Sequence, residues 1–273
     1  MKVNARNSRA VRGAEMEELK DGTDRWGLEK LDPHLRSVVG LFLKDVLQAF
    51  PGGIESYALT GSCLTPDYVP GRSDINSVLV LKEMSPALLD RLASLGRRYG
   101  RKGMRAPLVM TCPYIERSLD VFPIEFLDIK LIHKTIHGAE LFSGLSISKP
   151  LLRLQCERDL KAKIIHLHQG YISCSGNGRG LRALLNEAWP GFFPLFRAML
   201  SLVRLKQEPA LLKEEVLESM ESAFGISLDC LREVRAMALK RVFWLDRGAA
   251  KEIFTKVYKV THELSLTMDR IPS

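Results

Sequence analysis

The segment YALTGSCLTPDYVPGRSDINSVLVL, residues 57–81, decides how the first half of the chain folds. It contains one apolar run, then a polar loop that begins with Gly61 and Ser62, then a second apolar run. Short apolar runs bounded by turn residues are typical of buried strands. The segment therefore predicts two neighbouring strands joined by a loop, with Asp74 and Asn76 at the start of the second strand.

Asp74 and Asn76 are polar positions in a strand that is otherwise apolar. Successive side chains of a strand point to opposite faces, so these two share one face and Ile75 and Ser77 share the other. A carboxylate at the start of a buried strand is costly unless a cation, hydrogen bonds or water satisfies it, so a metal ion is a reasonable partner. A Gly-Ser turn lets backbone amides and a hydroxyl approach phosphate oxygens. Together these features suggest a nucleoside triphosphate held by its phosphates over a magnesium ion.

The string LTGSCLTPDYVPGRSDINSVLV resembles the signature of the polymerase-beta-like nucleotidyltransferase superfamily: an apolar strand, Gly-Ser, a variable linker, and Asp-x-Asp/Glu between apolar residues. PGRSDI, residues 70–75, is especially similar to the aminoglycoside adenylyltransferases, in which a helical bundle follows the catalytic domain. The resemblance covers residues 30–140 by motif and the C-terminal half by architecture alone. It implies transfer of a nucleoside monophosphate from a triphosphate, expected to be ATP, to a hydroxyl of a small molecule or a macromolecule.

The resemblance also implies roles for individual residues. The nucleotide is expected to contact Gly61, Ser62, Arg72 and Ser73, and Mg²⁺ is expected to contact Asp74 and Asn76. Each feature alone has a simpler interpretation, since Gly-Ser is commonly an ordinary turn, Ser-Asp a cap, and Arg72 a solvated loop residue.

The family needs a third carboxylate on a neighbouring strand, and VFPIEFLDIK, residues 121–130, predicts such a strand. Glu125 and Asp128 are three residues apart, so a regular strand would point them to opposite faces and only one could join Asp74. The similar adenylyltransferases have a glutamate between apolar residues here, which favours Glu125, with Asp128 as the alternative. Glu125 would then accept the proton of the attacking hydroxyl or bind a second metal ion.

Asn76 departs from the family pattern, which has a second carboxylate at that position. An amide oxygen can ligate magnesium but brings no charge, so it would hold two cations less firmly. Two hypotheses follow: a nucleotidyltransferase with an atypical metal motif, or a catalytically degenerate module that binds nucleotide, RNA or a protein partner.

The order of elements predicts an α+β fold with a small mixed sheet followed by a helical bundle. Asp32 and Pro33 predict a helix that runs to about Phe50, and residues 87–101 predict a second helix. From Pro150 onward, apolar residues recur at three- and four-residue spacing between breaks that contain Gly or Pro. The predicted boundaries are a polar N-terminal segment (1–30), a nucleotidyltransferase-like domain (31–149) and a helical bundle (150–273).

Composition limits the partners without identifying them. A net charge of +8 makes the protein attractive to polyanions, and the basic run RRYGRKGMR, residues 97–105, is either a solvated surface or a contact for a nucleic acid backbone. No apolar run is long enough to span a membrane and no secretory pattern opens the chain, so we expect a cytoplasmic location without a membrane partner. His133 and His137 are at i, i+4 spacing but lack a third metal ligand, which favours ordinary surface or core histidines.

Overall fold

The computed structural model describes residues 28–203, 210–239 and 246–271. The predicted polar segment 1–30 lies outside the described residues except for its last three positions. In the described ranges the chain is an α+β protein with ten α-helices and one four-stranded mixed sheet, which confirms the predicted fold class. No helix in these ranges is both long and apolar enough to cross a membrane.

The described chain divides into two compact units. The first unit comprises residues 28–118 and 129–145, and the second comprises residues 119–128 together with the chain from residue 146 onward. Residues 119–128 therefore belong to the second unit, although the residues directly before and after them in sequence belong to the first.

The first unit contains the whole sheet, whose strand order is β3-β2-β1-β4. β1 is antiparallel to both β2 and β4, whereas β3 is parallel to β2. The strands are β1 (Ile54–Thr60), β2 (Asn76–Leu81), β3 (Leu108–Met110) and β4 (His133–Gly138), and the helices are α1 (Pro33–Ala49), α2 (Pro86–Gly100) and α3 (Cys112–Ser118).

α1 begins where the sequence predicts. The Asp32 side chain accepts hydrogen bonds from the backbone amides of His34 and Leu35, and Pro33 opens the first turn. The apolar side of α1 joins β1 and β2 in one buried core that includes Phe42 and Tyr57. This core fixes the position of the sheet, and so of the strand ends that carry the predicted site.

The second unit is helical. α5 contacts α6, α7 and α10, and its residues Leu152, Leu160 and Leu167 are buried. Pro190 and Gly191 separate α6 from α7 within residues 181–203, where the sequence pattern alone reads as one continuous helical segment. The helices are α5 (Lys149–Ser173), α6 (Gly178–Ala188), α7 (Phe192–Val203), α8 (Lys213–Phe224), α9 (Asp229–Leu239) and α10 (Arg247–Arg270).

The strand prediction for residues 121–130 is wrong. These residues form the helix α4 (Pro123–Leu131), which passes from the second unit into the first at residue 129. Pro123 suits the first turn because its missing N–H needs no partner there, and Glu125 and Lys130 lie at the ends where the helix dipole favours their charges. The amide of Ile124 donates to the Gln155 side chain, so a free amide of the first turn is satisfied.

Candidate functional site

Three strand ends lie side by side in the first unit. Thr60, the last residue of β1, pairs with Asn76 at the start of β2 on one side and with His133 at the start of β4 on the other. The chain then leaves β1 through a 3-10 turn, Gly61–Leu64. The Gly-Ser turn and the polar start of β2 are thus adjacent, as the nucleotidyltransferase resemblance implies.

Gly61 has a backbone conformation that favours glycine. Its φ of +72° lies in the left-handed region, and its N–H donates to the carbonyl of Ile132 at 3.1 Å. That amide is therefore already hydrogen-bonded within the protein. Ser62 is half-buried, and its carbonyl accepts hydrogen bonds from the backbone N–H and the hydroxyl of Thr65, both at 3.1 Å.

The loop before β2 is closed by its own hydrogen bonds. The Ser73 hydroxyl accepts from the amide of Val69 at 3.0 Å, and the amides of Arg72 and Ser73 donate to the Val69 carbonyl. This geometry gives Ser73 a turn-forming role, while the Arg72 side chain is exposed. Of these two residues predicted to bind nucleotide, Arg72 is the one whose side chain extends into solvent.

Asp74 is paired with a cation of this chain. Its carboxylate lies 3.0 Å from the guanidinium of Arg105, and the two side chains are 47% and 67% exposed. The backbone holds this pair in register: the amide of Ile75 donates to the Gly103 carbonyl, and the amide of Arg105 donates back to the Ile75 carbonyl. The second part of the basic run is thereby fixed beside the start of β2.

Burial alternates along the start of β2 as the sequence predicts. Asp74 and Asn76 are exposed, whereas Ile75 and Ser77 are buried. The two predicted metal ligands of this segment therefore face solvent on one side of the sheet. One is an ion-paired carboxylate and the other is a neutral amide.

The candidate third carboxylates, Glu125 and Asp128, belong to the second unit. The Glu125 carboxylate accepts from the Gln155 amide group at 2.8 Å, and the Asp128 carboxylate accepts from the Arg197 guanidinium at 2.7 Å. Because they are three apart on a helix, they lie on the same side of α4 rather than on opposite faces of a strand. The Glu125 carboxylate thus joins α4 to α5, and the Asp128 carboxylate joins α4 to α7.

Sequence reasoning missed β4 and the carboxylate beside it. The Glu140 side chain accepts hydrogen bonds from Thr135 at 2.5 Å, from the amides of Phe142 and Ser143, and lies 2.8 Å from His133 Nε2. Partial burial raises the pKa of Glu140, but these hydrogen bonds outweigh it and hold that pKa well below its usual value. β4 has only one apolar residue other than glycine, Ile136, so its pattern gave little strand signal.

The described residues contain no ready-made metal cluster. Across residues 28–203, 210–239 and 246–271, no group of three or more histidine, cysteine, aspartate or glutamate side chains is arranged to hold a metal ion. All five cysteines are free thiols, and three of them are buried.

Comparison with known proteins finds similarity among solved structures. No protein-family model and no curated protein sequence matches this chain. Among solved structures, the chain is similar to an adenyltransferase. It is the spectinomycin adenyltransferase AAD(9) from Enterococcus faecialis, solved with ATP and spectinomycin, with 13% sequence identity and a TM-score of 0.40 over 82% of this chain and 97% of that one. A likeness of this size concerns the fold alone and assigns no residue of the site.

Proposed function

We propose that the first unit is a nucleotidyltransferase-type module that binds a nucleoside triphosphate, with ATP as the first candidate, by its phosphates, and that it has lost efficient nucleotidyl transfer. The observation that carries the proposal is the ion pair between Asp74 and Arg105 at the start of β2. It places an arginine where the resemblance expects a metal ion to neutralise the carboxylate.

Phosphate binding follows from the charges around this pair. Arg105 is two-thirds exposed, and Arg72, Arg101 and Lys102 are exposed on the loops that flank the start of β2. A guanidinium presents a planar fork of donors that matches phosphate oxygens in geometry and charge. A triphosphate would compete with Asp74 for Arg105 and would bring more negative charge than one carboxylate.

The residues do not fit the expected magnesium site. A catalytic pair of cations needs several anionic oxygen ligands, and the start of β2 supplies one carboxylate, which is ion-paired, and one neutral amide. Glu125 and Asp128 already accept hydrogen bonds from Gln155 and Arg197. Magnesium binding therefore remains an expectation from the resemblance alone, and the proposed function does not depend on it.

The second candidate function is the transfer reaction itself, to a hydroxyl of a small molecule or a macromolecule. The exposure of the Asp74–Arg105 pair favours it, because an exposed ion pair contributes only about 0–1 kcal/mol and is easily opened. In that case the opened pair would leave the Asp74 carboxylate free to act, and a role for Glu125 remains a prediction of the resemblance alone.

A binding titration tests the proposal. We would measure the affinity of the protein for ATP, GTP, CTP, UTP and adenosine, each with and without Mg²⁺. Arg105→Gln should weaken triphosphate binding about tenfold, since a charge-assisted contact contributes roughly 1.5–3 kcal/mol. Lys82→Gln is the matched control and should leave triphosphate binding unchanged. Lys82 directly follows the far end of β2, so at roughly 3.3 Å per residue it lies about 20 Å from the start of that strand. Adenosine binding as tight as ATP binding would contradict recognition by the phosphates.

An activity assay separates the two candidates. Labelled triphosphates, Mg²⁺ or Mn²⁺ and a panel of hydroxyl acceptors would be incubated with the wild type, Asn76→Asp and Asp74→Ala, and pyrophosphate release would be measured. The binding module predicts no release from the wild type. Release that Asp74→Ala abolishes would establish the transferase and refute the loss of activity.

A further inference from the structure

A cavity of about 370 Å³ lies within the helical second unit, between α5, the end of α6 and the start of α7. The cavity is open to solvent, because Ala162, His166, Glu187 and Gly191 on its wall are exposed, while Leu167 and Phe192 form its buried apolar part. The residues that define its chemistry are Asp159, Lys163, His166, Glu187, Gly191 and Phe192.

Lys163 is the cation of the cavity, and the surrounding chain makes room for it. Its ammonium lies 4.7 Å from the centre of the Phe192 ring, within the range of a cation–π contact. A Cβ atom on Gly191 would lie only 2.9 Å from the Lys163 Nζ, so a side chain there would displace the ammonium. Burial lowers the pKa of Lys163, and the nearby Asp159 only partly offsets this.

Two carboxylates line the same cavity. Asp159 lies one helical turn before Lys163 on α5, and Glu187 is exposed near the end of α6. Burial raises the pKa of Asp159; Arg158 and Lys163 lower it, while the negative charge of Glu125 raises it further. The cavity therefore has both signs of charge on its wall, and Asp159 is also paired with Arg158 at 3.4 Å.

The size of the cavity limits its ligand. At about 30 Å³ per water molecule, it holds on the order of a dozen waters, so a ligand of about that many non-hydrogen atoms would fill it. It suits a single small metabolite.

We propose that this cavity binds a small zwitterion with the chemistry of a free α-amino acid, its carboxylate on Lys163 and its ammonium on Asp159 and Glu187. A ligand with only an anionic group would meet two carboxylates, and one with only a cationic group would meet the Lys163 ammonium. A zwitterion places each of its charges against an opposite charge of the wall. The remaining volume, beside Phe192, is left for the side chain of the ligand.

Calorimetry with ligand analogues tests this assignment. The full-length protein would be titrated with each common amino acid, and the best ligand would then be compared with its N-acetyl and methyl ester derivatives. Because each derivative removes one charge, both should bind at least tenfold more weakly than the parent. Equal binding of either derivative, or no binding of any amino acid at millimolar concentration, would overturn the proposal.

Variants of the wall show whether the ligand occupies this cavity. Lys163→Met and Asp159→Asn should each weaken binding about tenfold or more. Lys161→Met is the matched control, since Lys161 is on the same helix but is paired with Glu157 and Asp269, and it should leave the affinity unchanged.

Gly191→Ala provides a variant that changes no charge. The added methyl should displace the Lys163 ammonium and weaken binding, while thermal unfolding checks that the bundle is intact. If Lys163→Met fails to fold, Gly191→Ala and Asp159→Asn together decide the question. An affinity equal to that of the wild type in Gly191→Ala and Asp159→Asn would place the ligand elsewhere and refute the site.

Discussion

Replacing either member of the Asp128–Arg197 pair should destabilise the second unit strongly. The Asp128 carboxylate and the Arg197 guanidinium lie 2.7 Å apart, and their side chains are only 19% and 8% exposed. Removing one partner leaves the other charge buried without compensation, which costs about 3–5 kcal/mol. At roughly 2–4 °C per kcal/mol for a protein of this size, Asp128→Leu or Arg197→Met should lower Tm by about 10 °C.

The double variant gives the sharper test. Asp128→Leu with Arg197→Met replaces both charges by apolar groups, so it should cost much less than the sum of the single changes. Urea unfolding of the four proteins gives the coupling energy, which we expect to be at least about 2 kcal/mol. The exposed pair between Glu233 and Lys256 is the control and should show a coupling below about 1 kcal/mol.

Two outcomes would refute this reasoning. Single variants that cost less than about 1 kcal/mol, or costs that simply add in the double variant, would show that the pair is not a structural anchor. Strong coupling would instead support a structural role for Asp128.

Three further predictions concern pH, thiol reactivity and a helix end. Because the pKa of Glu140 is lower in the folded than in the unfolded protein, its contribution to stability should be complete above the ordinary glutamate pKa of about 4.5 and lost as the pH falls below it. Between about pH 5 and pH 3, urea unfolding should therefore show a smaller loss of stability for Glu140→Gln than for the wild type. A thiol reagent at pH 8 should modify at most two of the five cysteines before the protein unfolds. The reason is that burial raises the pKa of Cys63 and Cys230 to about 11 and that of Cys156 to about 12. Fast labelling of all five thiols would contradict the burial of these three. Gly225→Ala should lower the free energy of unfolding in urea by about 1 kcal/mol, because Gly225 ends α8 at a φ of +67°, a conformation that strains alanine. The space around Gly225 is open, so backbone strain and not a clash is the cause. An unchanged free energy of unfolding would show that the backbone relieves this strain.

The sequence predicts best those elements that have both a clear boundary residue and a regular apolar pattern. α1 has an Asp-Pro start and a helical apolar repeat, and β1 and β2 are apolar runs between turn residues, so each was predicted close to its observed position. α4 was misread because its apolar residues are buried on several sides and show no clear period. Its apolar run is typical of a strand, whereas the Pro123 start and the terminal charges seen in the structure are those of a helix.

The candidate site was predicted in part, for a related reason. The exposure of Asp74 and Asn76 on one face follows from the two-residue period of a strand, and the structure has this alternation. The contact between Asp74 and Arg105 joins residues thirty-one positions apart, through a bridge between Ile75 and Met104 that no local pattern reveals. The cavity around Lys163 likewise forms only where α5, α6 and α7 pack together, and the sequence pattern does not predict that packing.

The passage of α4 from one unit into the other has a consequence for how the protein unfolds. The chain crosses between the units three times, after residues 118, 128 and 145, and the second crossing occurs inside one continuous helix. Residues 123–128 of α4 belong to the second unit and residues 129–131 to the first, and a helix melts cooperatively, so loss of either unit should loosen the part held by the other. A fragment that ends at residue 149 would keep Glu125 and Asp128 without the Gln155 and Arg197 side chains that bind them. The two units are therefore expected to behave as a single cooperative block rather than as separable modules, and a ligand of either one would raise the melting temperature of both.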